Sequence, residues 1–171
     1  MMIKEPDWEN IGISSAISPR FLELYASIVM QQTKIEHSLQ LCIGYLLGVD
    51  YEKVQILTAE QSYRQLVGLL SSLMIKHYSQ QSEQYKKLKF ILSKIDDFEK
   101  LRNDLVHSIW MHSNSGALES GAQRMKITAK RKIGLKRIEE SVTESELEIE
   151  WKKGSFYDYE LQSHIKSCIQ K

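Results

Sequence analysis

From Phe21 to Leu46 apolar residues return every three or four positions: Phe21, Leu24, Ile28, Ile35, Leu39, Cys42 and Leu46. That spacing keeps them on one side of an α-helix for about seven turns. Ser18 followed by Pro19 is a helix start, with Ser as the cap and Pro at the first helical position. Gly48 marks the end. A second stripe, Tyr25, Val29, Ile43 and Leu47, widens the apolar face. A helix this long with so broad a seam packs against another long helix, in the same subunit or in a partner.

Thr58 and Gln61 have the spacing of a capping box. Behind them Tyr63, Leu66, Val67, Leu70, Leu73 and Met74 predict a second amphipathic helix that fades near His77 and Tyr78. Ser82 is placed to cap a third, whose apolar positions are Leu88, Ile91, Leu92, Ile95, Phe98, Leu101, Leu105, Val106 and Ile109. Beyond Trp110 the period changes. His112 to Gly116 reads as a loop. Over 124–132, Arg124, Lys126, Thr128, Lys130 and Lys132 alternate with Met125, Ile127, Ala129 and Arg131. Over 146–151, Glu146, Glu148 and Glu150 alternate with Leu147, Ile149 and Trp151. Period two predicts strands, paired as an antiparallel ribbon of two or three strands that turns near Gly134. Leu161, Ile165, Cys168 and Ile169 predict a short last helix. The expected fold is mainly α, a bundle of about four helices with a small antiparallel β-ribbon before the C-terminal helix. One domain is expected over 1–171, with 1–17 as an N-terminal extension and 112–153 as a loop and ribbon insertion.

Composition narrows the classes. The chain has 171 residues, 42% hydrophobic and 26% charged, which suits one soluble globular domain. Two prolines and no Ser/Gly-rich run leave no linker between domains. The net charge of +1 does not by itself imply a polyanionic partner. Cys42 and Cys168 form no CxxC pair, so neither a zinc knuckle nor a redox motif is indicated. Two isolated thiols suit a reducing cytosol, and a cytoplasmic location is expected. Met1 to Asn10 carries Lys4, Glu5, Asp7 and Glu9 and does not read as a secretion signal. The longest apolar stretch, near Leu39 to Val49, is too short and interrupted for a bilayer, so no membrane partner is expected. His37, His77, His112 and His164 lack metal-ligand spacing, and neither a metal nor another cofactor is expected. There is no glycine-rich phosphate loop, nucleophile elbow or HExxH.

The chemistry-bearing residues stand at the end of the third predicted helix, in Leu101-Arg102-Asn103-Asp104-Leu105-Val106-His107. An imidazole moves protons near neutral pH, and a guanidinium grips phosphate in a fork. Asn103 and His107 are four apart and share a helix face, with Glu99 and Asp104 near the same stripe. Arg102 lies about 100° from Asn103 and about 140° from His107 by helical rotation. Arg102 and His107 therefore converge only if the Arg stem reaches round, or if a second copy completes the site. In a purely structural account, Asn103 and His107 bond each other or a loop, and Arg102 pairs with Glu99 or Glu36.

Arg102, Asn103 and His107, an RNxxxH motif late in a long helix of a helical domain, resemble the signature of the HEPN superfamily. The long first helix with its patch Ile35-Glu36-His37-Ser38-Leu39 is similar as well. The resemblance covers roughly 18–111 and the final helix. It implies a metal-independent endoribonuclease, a homodimer with two motifs facing one cleft, of the kind found among toxins and defence effectors. Some such toxins carry a Tyr two residues after the His, where a partner nucleotidyltransferase modifies them; here that position is Ile109. The implied catalytic residues are Arg102, Asn103 and His107. Glu36 would support Arg102 or His107, and Asp104 would support the same stripe.

Charge adds a second candidate surface. Residues 124–137 hold seven Lys or Arg and no acid, and 139–150 hold six Glu and no base. The first block reads as a ribbon along an RNA backbone, with Arg124, Lys126, Lys130 and Lys132 on one face, or as an epitope for an antitoxin or other regulatory protein. If 124–132 pairs with 146–151, cross-strand ion pairs neutralise both blocks instead. Two further functions compete with the ribonuclease. One is a non-catalytic HEPN-like module for RNA, a nucleotide or a protein. The other is an assembly protein dimerising through its first helix.

Overall fold

The computed structural model describes residues 17–111, 121–130 and 134–169. Among these, five helices and three strands follow in the order α1 (Pro19–Leu47), α2 (Tyr51–Thr58), α3 (Tyr63–Tyr78), α4 (Glu83–Val106), β1 (Ile109–Met111), β2 (Gly121–Lys130), β3 (Gly134–Thr143) and α5 (Glu144–Ile169). The mainly helical class and the small antiparallel sheet before the last helix are as expected. Residues 1–16, 112–120, 131–133 and 170–171 lie outside the described residues, and with them most of the expected N-terminal extension and the expected loop at 112–116.

Helix α1 begins where Ser18 accepts the Phe21 backbone N–H at 3.0 Å. It stops at Gly48, whose φ of 65° is the left-handed conformation that glycine adopts without a Cβ clash. Helix α4 starts at Ser82, as expected, with the Tyr85 N–H on its hydroxyl. The capping box of α3 is Ser62 with Gln65, one turn beyond the expected Thr58–Gln61 pair. Thr58 instead closes α2, a short helix absent from the sequence reading, and its hydroxyl donates to Val54 O at 2.7 Å. Both pairs have the right spacing, and only the folded chain selects between them.

The larger correction concerns residues 146–151, which are helical. The Thr143 N–H and hydroxyl both donate to Glu146 Oε2, at 2.8 and 3.0 Å, while the Glu146 N–H donates back to Thr143. This capping box starts α5, and Glu144 and Glu146 sit where the helix dipole favours acids. Leu147, Trp151 and Gly154 then share an inward face, so the apparent alternation was a fragment of a helical stripe. The short last helix becomes one of 26 residues. The strand that pairs with β2 is therefore β3, in the register Arg124↔Glu140 and Lys126↔Ile138, and β1 adds Trp110↔Arg124 on the other side.

Helices α1 and α5 run parallel, as matched contacts show. Ser18 donates to Glu144, Ser155 to Gln31 at 3.1 Å, and Gln162 to Ser38 at 3.1 Å. Helix α4 runs antiparallel to both: Trp110, just beyond its end, packs edge-on against Phe21, and Gln84 near its start meets His164. Ile28, Ile35, Leu39, Leu70, Met74, Leu88, Ile95 and Leu161 fill the space between. Each such side chain contributes about 1.5–3 kcal/mol by leaving water. Cys42 and Cys168 are buried in this core, and burial pushes the Cys42 thiol up to about 12.

Gly154 lets α5 approach closely. A Cβ there would stand 2.5 Å from the Phe98 ring and 3.1 Å from Gln31. Gly154→Val should therefore lower stability by about 1–3 kcal/mol, as overpacking does. Urea denaturation measures this, and an unchanged midpoint would show that α5 sits further out.

His164 gives a pH prediction. Its Nε2–H donates to Gln84 O at 2.8 Å, yet burial, the larger effect, holds its pKa below the usual 6.5. The folded state thus binds fewer protons than the unfolded chain. This contribution is complete above the usual histidine range and is lost as pH falls through the lowered value. Urea midpoints between pH 8 and pH 5 should fall less steeply for His164→Gln than for wild type.

Candidate functional site

The α4–β1 corner holds the motif. Helix α4 ends at Val106, and His107 is its cap, with φ −96° and ψ 16°. The His107 backbone N–H still donates to Asn103 O at 3.0 Å, so the last helical turn holds the residue. On the far side the Trp110 indole donates to Leu105 O at 3.1 Å and packs edge-on against Phe21 and Tyr25. Ser108 donates back to Asp104 O. His107, Ser108 and Trp110 are thus all hydrogen-bonded back to the last turn of α4. The imidazole itself is exposed and has no hydrogen-bond or ion-pair partner among the described residues.

Arg102 turns toward α1. Its Nη2 lies 3.5 Å from Glu36 Oε1, with 23% of its side chain exposed. The same Glu36 oxygen accepts from Gln32 Nε2 at 3.3 Å. Asn103 turns one turn back, donating to Glu99 Oε1 at 2.8 Å. Its side chain makes no hydrogen bond to His107, so of the bonds that the structural account offered, to each other or to a loop, this side-chain pair is not formed and only the backbone bond joins the two residues. The structural pairing of Arg102 with Glu36 is present. Arg102 and His107 leave the helix in the directions that rotation dictates.

Asp104 departs from its expected place. Its carboxylate accepts from Lys126 and lies 3.9 Å from Arg124 Nη1. Arg124 also binds Glu140, through Nε at 3.0 Å and through Nη2. Asp104 thus anchors the sheet to α4 and does not reach toward His107. Arg124 and Lys126 are correspondingly withdrawn from the expected RNA face: their side chains are 14% and 27% exposed and held in intrachain ion pairs. The physical reason is register, which sets Arg124 opposite Glu140 and aims that face of β2 at the end of α4. The Lys130 side chain and all of Lys132 lie outside the described residues.

Beside the motif, α3 and α4 enclose an open cleft of about 320 Å³ lined by Tyr63, Arg64, Val67, Asp96, Glu99 and Lys100. The buried Tyr63 hydroxyl donates to Asp96 at 2.7 Å. Burial, then that bond and the charges of Asp96, Glu99 and Glu36, drive the phenol pKa far up, so Tyr63 remains a donor. Sequence reasoning missed Tyr63, Asp96 and Gln32. Gln32 had one signal, a polar residue four before Glu36 on a buried helix. Among the described residues no group of three or more His, Cys, Asp or Glu is placed to hold a metal ion. No helix among them is long and apolar enough to cross a membrane.

No protein-family model, curated protein or solved structure matches the chain. The functional reading therefore rests on the residues of this corner.

The anchoring role of Asp104 is testable. Asp104→Asn should cost about 0.5–1 kcal/mol, a modest figure because the carboxylate is partly exposed and screened. The loss should shrink in high salt. A cost that does not change with salt in thermal denaturation would mean the ion pairs do not hold the sheet to α4.

Proposed function

We propose that this protein is an endoribonuclease of the HEPN type, acting as a homodimer through Arg102 and His107. The observation that carries the reading is the α4–β1 corner. There an imidazole that is exposed and has no partner among the described residues stands at the cap of α4, five residues after a guanidinium that keeps 23% of its side chain exposed.

In the proposed reaction the ribose 2′-hydroxyl attacks the adjacent phosphorus. The bond to O2′ forms and the bond to O5′ breaks, leaving a 2′,3′-cyclic phosphate and a 5′-hydroxyl. Neutral His107 takes the proton from the 2′-hydroxyl, or its imidazolium gives one to the departing O5′. The Arg102 guanidinium stabilises the negative charge that grows on the phosphorus oxygens. Because Arg102 and His107 diverge on one helix, the active arrangement combines groups from two copies. Asn103 and Glu36 support the site. RNA phosphates would meet the far part of the ribbon, where Lys136 is exposed, in place of Arg124 and Lys126. A toxin or defence setting, with an antitoxin or other regulator as partner, follows from the resemblance alone.

One observation favours a second reading. Arg102 and Asn103 are already engaged by Glu36 and Glu99. A non-catalytic module binding RNA, a nucleotide or a protein would use this corner as a structural joint.

Incubation of wild type, Arg102→Ala and His107→Ala with RNA in EDTA separates the two. Wild type should yield 2′,3′-cyclic phosphate ends, and His107→Ala should lose about 10²–10⁴ in rate while keeping its fold. Cleavage that requires a divalent metal, or that survives His107→Ala, would overturn the nuclease reading.

A further inference from the structure

Gln32 is a polar side chain in a place made for an apolar one. It lies on α1 between the buried Ile28 and Ile35 and is itself only 1% exposed. Its amide orientation is set by chemistry. The Glu36 carboxylate can only accept, so the Gln32 NH₂ must face it, as it does at 3.3 Å. That leaves Gln32 Oε1 buried with no partner among the described residues. Arg102 Nε is buried and unpartnered in the same way. Both residues meet at a single atom, Glu36 Oε1, which Gln32 approaches from α1 and Arg102 from α4.

A buried amide with an unused acceptor is not a device for stability, since an apolar side chain of that size would fill the space without a desolvation cost. Its one bond fixes the carboxylate. Glu36 is a flexible, partly exposed side chain, and without a second tether its oxygen would be free to leave the guanidinium. With the tether, Glu36 Oε1 stays on the Arg102 side of the α1–α4 seam, and the fork is held from one end. Arg102 Nε is buried beside it, so an anion meets the guanidinium through the part that stays exposed, 23% of the side chain.

We propose that Gln32 is a positioning residue for Arg102, acting through Glu36, so that the guanidinium is presented in one orientation to an oxyanion such as an RNA phosphate. The assignment of phosphate as ligand rests on the ribonuclease reading; the orientation of Arg102 does not.

The test uses ¹⁵N-labelled full chain and follows the Arg102 Nε–H signal, assigned by its loss in Arg102→Lys. In wild type this proton should exchange slowly, and inorganic phosphate should shift it. Gln32→Met keeps the volume and removes the amide. Its Arg102 Nε–H should exchange about tenfold faster or more, and RNA cleavage should lose about tenfold in kcat with KM little changed. An Arg102 Nε–H whose position and exchange are the same in Gln32→Met overturns the proposal. If Gln32→Met does not fold, Glu36→Ala at its partly exposed site replaces it. That variant should speed the same proton and move the Gln32 side-chain amide signals, and unmoved signals would overturn the link. If wild type cleaves no RNA, the nuclease reading fails, while proton exchange still decides the role of Gln32.

Discussion

The structure depends on how much of α1 is out of water. This helix packs against α2, α3, α4 and α5, and its buried residues run from Phe21 to Leu46 on more than one face. Two-sided burial of a long helix brings polar positions inside as well. Gln31, Gln32 and Ser38 are all buried, and an unpaired polar group there costs about 1–3 kcal/mol. Ser155 and Gln162 of α5 meet Gln31 and Ser38 at one register only. A slide of one turn would strand both pairs and drive a side chain into the space that Gly154 leaves for Phe98. The parallel α1–α5 pair is thus set lengthwise by hydrogen bonds and sideways by a missing Cβ.

The candidate site inherits its rigidity from this arrangement. Antiparallel α4 brings Arg102 beside Glu36 on α1 and brings Trp110 against Phe21 near the start of α1. His107 lies between those two fastenings. The sheet adds a third, because Asp104 is tied to Arg124 and Lys126. One short stretch of α4 therefore sends Arg102 to α1, Asp104 to β2 and His107 to solvent. With about 100° of rotation per residue these positions face different neighbours, and α1 and β2 supply the charges complementary to Arg102 and Asp104.

Legibility in the sequence followed the range of the interaction. Ser18-Pro19, Ser82 and Gly48 were readable because a cap acts within three or four residues. The position of the motif at the end of α4 was readable for the same reason. Thr58–Gln61 misled because two capping patterns stand one turn apart, and the choice belonged to α2 packing on α1. Residues 146–151 misled because six residues of alternating Glu and apolar side chains fit a strand as well as the first turns of a helix. The decisive signal was the Thr143–Glu146 box just before them, together with Glu148–Lys152 and Glu150–Lys153 pairs at helical spacing.

By itself the sequence determined the helical class, the long first helix and the long helix that begins after Ser82, a basic ribbon and an Arg-Asn-His group at a helix end, since periodicity, caps and composition are local properties. Tertiary structure alone decided what those groups touch. It placed most of the acidic block on α5, left Glu139 and Glu140 on the ribbon, and drew Arg124 and Lys126 into ion pairs with Asp104 and Glu140. It also joined Gln32, Glu36 and Arg102 across 70 residues of chain. A side chain's partners depend on which elements are brought beside it, and that is set by burial of the whole core, for which no short stretch of sequence carries the information.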